Sequence, residues 1–106
     1  MEMAVEILDS KNFDGFIESG NVVIDFYADW CGPCKIMEPH FRKASEANKN
    51  IRFAKVDVDG NQKIAGRFQV MSIPTTIFFK DGEQVDRHTG AMSFKDIEET
   101  IRKNFD

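Results

Sequence analysis

The chain has 106 residues, 42% of them hydrophobic and 30% charged, with a net charge of −4. That length fits one domain, residues 1–106, able to bury roughly two-thirds of its unfolded surface without staples. The mild acidity excludes the basic footprint of a nucleic-acid binder, and no run nears the roughly 18 apolar residues of a membrane span.

From the N-terminus, residues 3–8 read as a short strand. Glu2 and Glu6 stand where a secretory signal would need a basic start and a long apolar run, so the expected location is cytoplasmic. There most cysteines stay reduced, and a disulfide that forms is usually transient and catalytic. Asp9-Ser10 can cap a helix to about Glu18, with Phe13, Phe16 and Ile17 at helical spacing. Residues 22–28 form a strand apolar on both faces, hence central. Both cysteines follow, in Trp30-Cys31-Gly32-Pro33-Cys34, and residues 35–48 then place Met37, Phe41 and Ala44 on one helical face. Pro39 inside that pattern should kink the helix.

The second half continues with a strand at 51–58 and a short helix at 61–68 turning Ile64 and Phe68 inward. A β-branched and aromatic strand covers 75–79, and Asp81-Gly82 is a strong hairpin signal leading to 84–89, whose polar residues mark an edge. Ser93 and Asp96 open the last helix as a capping box of the weaker Asp type, with Phe94, Ile97, Ile101 and Phe105 as its apolar stripe. The order is α/β: a parallel first half with right-handed crossovers, then an antiparallel hairpin. The expected architecture is one central mixed five-stranded sheet flanked by four helices.

The two cysteines carry the chemistry. Cys31 falls at a strand-to-helix junction, where unpaired backbone N–H groups stabilise a thiolate. Cys34, inside the first turn and nearer the core, should keep its proton longer. The asymmetry assigns roles: Cys31 attacks a substrate disulfide, and Cys34 then attacks Cys31 and releases the reduced substrate. Pro33 has no N–H to lose in the first helical turn; with Gly32 it stiffens the loop and favours the reducing direction. The competing readings are half a zinc site or two inert thiols. A closed zinc site needs four ligands, and His40 and His88 lack finger spacing, so no metal is expected. Inert thiols would belong to an apolar face rather than to a Trp-Gly-Pro turn. The working group is the dithiol itself, with no bound cofactor.

Asp25 lies inside Val23-Ile24-Asp25-Phe26, where apolar residues on both faces argue for burial, which raises a carboxyl pKa. Lys55, in Phe53-Ala54-Lys55-Val56, reads either as a snorkelling surface lysine or as a buried charge. His40 is expected on a solvated helix face, and His88 on the polar edge strand.

The segment Asp25-Phe26-Tyr27-Ala28-Asp29-Trp30-Cys31-Gly32-Pro33-Cys34-Lys35 closely resembles the active-site segment of thioredoxins. Ser72-Ile73-Pro74-Thr75, Phe79-Lys80-Asp81-Gly82 and Gly90-Ala91 match later landmarks of that family in order. The resemblance runs from about Val5 to Phe105. It implies a thioredoxin fold and a protein-disulfide reductase. It implies that Asp25 accepts the Cys34 proton and that Lys55 lies near Asp25. It implies a cis bond at Ile73–Pro74 facing the cysteines, and a docking rim of Trp30, Gly32, Pro33, Ile73, Pro74, Gly90 and Ala91. By the same analogy the partners are a thioredoxin reductase, either a flavoprotein or ferredoxin-linked, and protein disulfides such as those of ribonucleotide reductase and thiol peroxidases; a monomer is expected. Thr89 and Met71-Ser72 depart from the common pattern and bear on partner preference. Two rivals stand beside the reductase: a disulfide oxidant or isomerase, against which Gly32-Pro33 argues, and a binding or assembly subunit using the same surface.

Overall fold

The computed structural model describes residues 5–106. Its elements run β1 (Val5–Ile7), α1 (Phe13–Ile17), β2 (Asn21–Tyr27), α2 (Gly32–Ala47), β3 (Arg52–Asp57), α3 (Gln62–Arg67), β4 (Thr75–Lys80), β5 (Glu83–Thr89) and α4 (Phe94–Phe105). The five strands form one sheet in the order β1-β3-β2-β4-β5. β3 pairs parallel with both β1 and β2, whereas β4 pairs antiparallel with β2 and β5. The expected α/β architecture of five strands and four helices is the one observed. Residues 3 and 4 of the expected first strand lie outside the described residues.

β2 is central because both of its faces are apolar. Val22, Ile24 and Phe26 point into one core with Phe13, Phe16 and Ile17 of α1 and Ile64 of α3. Val23 points the other way, with Phe53 and Phe78, against Met37, Phe41 and Ala44 of α2 and Ile97 and Ile101 of α4. The strand period of two divides the residues between these layers, so Asp25 shares the α2 face with Val23.

α1 begins later than Asp9-Ser10 would have it, because two side chains close a turn first: Asn12 Oδ1 accepts the Asp9 N–H at 2.7 Å and Asp9 Oδ1 accepts the Lys11 N–H at 2.8 Å. α2 starts with Gly32, so the cysteine motif forms its first turn, as expected for Cys31 at the helix entrance and Cys34 inside that turn. At α4 the capping box is complete, Ser93 Oγ accepting the Asp96 N–H and Asp96 Oδ2 the Ser93 N–H, both at 3.1 Å. His40 is not on a solvated face: it is half-buried, and its Nδ1 accepts the Phe94 N–H at 3.0 Å. That N–H is one of the donors a helix start leaves open, so His40 of α2 closes it from across the layer. His88 is exposed on β5 as expected. Among the described residues no helix is long and apolar enough to cross a membrane.

Candidate active site

Cys31 is the N-cap residue of α2. Its backbone is extended, and its Sγ accepts the Cys34 N–H at 3.2 Å. A sulfur at this position therefore receives one of the unpaired amides of the first turn and faces the positive end of the helix. Pro33 lies in the same turn, where its missing N–H costs nothing. Cys31 and Cys34 are joined as a disulfide, their Cα atoms 5.3 Å apart, and both are buried.

A distant segment closes over the pair. The Ile73–Pro74 bond is cis, and the Ile73 carbonyl oxygen lies 3.8 Å from Cys31 Sγ. Ile73 packs on the cysteine cluster together with Ala28, Tyr27 and Val58. The Gly90 N–H donates to the Pro74 carbonyl at 2.8 Å, which ties a third segment to this edge. Gly90 has φ +103, a conformation that favours glycine.

Around the disulfide the surface is apolar. Trp30 is 70% exposed, so it is no core aromatic, and its indole Nε1 donates to Asp59 Oδ2 at 2.8 Å. Gly32, Pro33 and Ala91 are exposed, Ile73 and Gly90 half-buried, and Pro74 buried. Met71, two residues before Ile73, is 91% exposed.

Asp25 is buried beneath α2, and its Oδ1 meets no hydrogen-bond donor among the described residues. Burial pushes its carboxyl up to about 7; the positive charge of Lys55 works against that rise and the negative charge of Glu38 adds to it. Lys55 is the ladder partner of Asp25 across β2 and β3, and Thr76 its partner on β4. The Lys55 ammonium is nevertheless held elsewhere, 3.5 Å from Glu38 Oε2 and 4.9 Å from the centre of the Tyr27 ring. Asp25 forms no ion pair among the described residues. Glu38 escaped sequence reasoning because a glutamate on a charged helix face is ordinary. Spacing puts Glu38 one turn after Cys34 on the same side of α2, but does not report its partner Lys55 on β3.

Among the described residues no group of acidic, histidine and cysteine side chains could hold a metal ion. The arrangement is instead a cysteine pair at a helix start with an apolar rim, and a buried carboxyl on β2, the strand that leads into the motif.

Comparison with known proteins agrees. The family model for Thioredoxin matches residues 4–103. The chain is 43% identical over 103 residues to a thioredoxin of Staphylococcus saprophyticus, covering 96% of this chain and 99% of that one. It is 40% identical over 100 residues to a thioredoxin of Chlamydia pneumoniae, covering 94% and 98%. Among solved structures, mitochondrial thioredoxin 3 of Saccharomyces cerevisiae in its oxidized form is 37% identical with a TM-score of 0.86, covering 94% of this chain and 95% of that one. A chain from a study of the thiol resolving mechanism in yeast mitochondrial 1-Cys peroxiredoxin via glutathione/thioredoxin systems also has a TM-score of 0.86 at 37% identity, covering 93% and 94%.

Proposed function

The chain belongs to the thioredoxin family and is a protein-disulfide reductase, and from that premise we propose how its residues divide the work. Cys31, as thiolate, attacks one sulfur of a substrate disulfide; the other substrate sulfur leaves as a thiolate and takes a proton. Cys34 gives its proton to Asp25 and attacks Cys31 Sγ. The mixed disulfide breaks, the second substrate thiol is released, and the Cys31–Cys34 disulfide carries away the two electrons' worth of oxidation. A partner reductase then returns the pair to the dithiol.

The observation that carries this reading is Cys31 Sγ capping α2 through the Cys34 N–H, because a thiolate there is stabilised without any further charge. Asp25 suits its role because a base is most effective with a pKa near the working pH. Lys55 moderates Asp25 through its charge. Trp30, Gly32, Pro33, Ile73, Pro74, Gly90 and Ala91 form the docking rim, where the backbone before Pro74 can pair with an extended substrate strand.

The finer setting is part of the same proposal: a cytoplasmic protein, reduced by a flavoprotein or ferredoxin-linked thioredoxin reductase, serving ribonucleotide reductase and thiol peroxidases. A reducing dithiol suits a reducing compartment, where a disulfide that forms is usually transient. The likeness to a chain studied with a 1-Cys peroxiredoxin supports the peroxidase branch.

Single substitutions test the division of labour. Cys34→Ser, incubated with a protein disulfide, should accumulate a stable mixed disulfide through Cys31, whereas Cys31→Ser should accumulate none. Trapping through Cys34 in the Cys31→Ser variant would reverse the assignment.

A further inference from the structure

We propose that Glu38 is a positioning residue: by taking up the Lys55 ammonium it leaves the Asp25 carboxyl without an ion-pair partner. The inference rests on the reading of Asp25 as proton acceptor and names the group that prepares it.

The geometry is specific. Asp25 and Lys55 are directly adjacent ladder residues on β2 and β3, and both stand on the face under α2. An unengaged lysine there would have a buried carboxylate as its nearest natural counterion. Instead Nζ lies 3.5 Å from Glu38 Oε2 and close to the Tyr27 ring. Glu38 is fixed from its other side by Arg42, one turn along α2, whose Nη2 lies 3.5 Å from Oε1. One carboxylate thus spans two cations, and among the described residues the buried Oδ1 of Asp25 has no donor.

The groups facing Asp25 are few. Lys55 comes from β3, Glu38 from α2, and the β4 neighbour Thr76 carries no charge. Tyr27, along β2, is held above its ordinary pKa by partial burial and by Asp57, Asp29, Asp25 and Glu38, so it does not titrate in the same range. In the disulfide form neither cysteine titrates, so Asp25 can be followed without interference from Cys34.

Two effects of Glu38 on Asp25 have the same sign. Its negative charge opposes ionisation of Asp25, and its hold on Lys55 keeps the favourable cation at a distance. Only the second requires Lys55, which makes the two separable.

The test is a carbon-detected NMR titration of the Asp25 side-chain carboxyl in the oxidised full chain. Four proteins are compared: the parent, Glu38→Gln, Lys55→Met, and the double variant. Glu38→Gln should lower the Asp25 midpoint by about half a pH unit or more, because Lys55 is released toward the carboxyl. In the Lys55→Met background the same Glu38→Gln change should move the midpoint by less than half as much. An unchanged midpoint in Glu38→Gln, or an equal drop in both backgrounds, would overturn the positioning role. The pH profile of mixed-disulfide resolution separates this from the catalytic reading. If the midpoint moves as stated while the profile stays fixed, Glu38 positions Lys55 as proposed and Asp25 is not the proton acceptor.

Discussion

Asp25 gives this molecule's stability a pH-dependent part. Its carboxyl is at about 7 when folded, against an ordinary value of 3.8, chiefly because burial penalises the charge. The sign follows from linkage: the folded state holds its proton where the unfolded chain has lost it. Stability is therefore fully present below pH 3.8 and falls as pH rises toward 7. Asp25→Asn removes the ionisation, so at pH 8 it should stabilise the protein by up to about 4 kcal/mol, less the cost of any unpaired amide hydrogens, and at pH 3.5 by almost nothing. Urea unfolding of both proteins at the two pH values measures this, and a variant less stable than the parent at pH 8 would contradict it. Asp25 was legible in the sequence because an acid interrupts a strand that is otherwise apolar on both sides. Glu38 was not, since its significance comes from Lys55 on another strand, and nothing in a helix's own spacing reports a partner 17 residues away.

Among the elements, those with strong periodic patterns matched their expected positions, and the ends were decided by local hydrogen bonds. Met37, Phe41 and Ala44 are buried on α2, and the Asp81-Gly82 turn joins β4 to β5 with both residues at positive φ. The end of α3 was less legible. Gln69 has φ +53, its N–H donates to the Gly66 carbonyl at 3.1 Å, and the Val70 N–H donates to Ala65 at 2.9 Å. These are the bonds of a Schellman cap, whose left-handed position usually holds glycine. A glutamine there gives no sequence signal and carries left-handed strain of roughly 1–2 kcal/mol, partly offset by its smaller backbone entropy in the unfolded chain. Gln69→Gly should accordingly raise stability by about 0.5–1 kcal/mol in denaturant unfolding; a loss of stability would show that the glutamine side chain contributes more than its strain costs. His40 illustrates the same limit, because the amide it serves belongs to α4.

At the scale of the whole molecule, three separate segments meet around the Cys31–Cys34 disulfide: the α2 start, the loop containing cis-Pro74, and the turn at Gly90. The parallel half of the sheet carries the cysteines and Asp25, and the antiparallel half brings Pro74 and Gly90 to them through β4 and its hairpin partner. The cysteine pair was visible in the sequence as chemistry, and the proline and glycine as family landmarks. Their meeting required the crossover topology, which no local pattern encodes. The central claim is that this assembly makes a reducing dithiol rather than an oxidising disulfide. Its most direct test is the equilibrium midpoint of the Cys31–Cys34 couple, read by thiol alkylation after equilibration in defined redox buffers at pH 7. A reducing dithiol should give a midpoint at or below about −220 mV, within or below the range of a reducing thiol pool, and a midpoint near about −120 mV, where strong disulfide oxidants lie, would contradict that assignment.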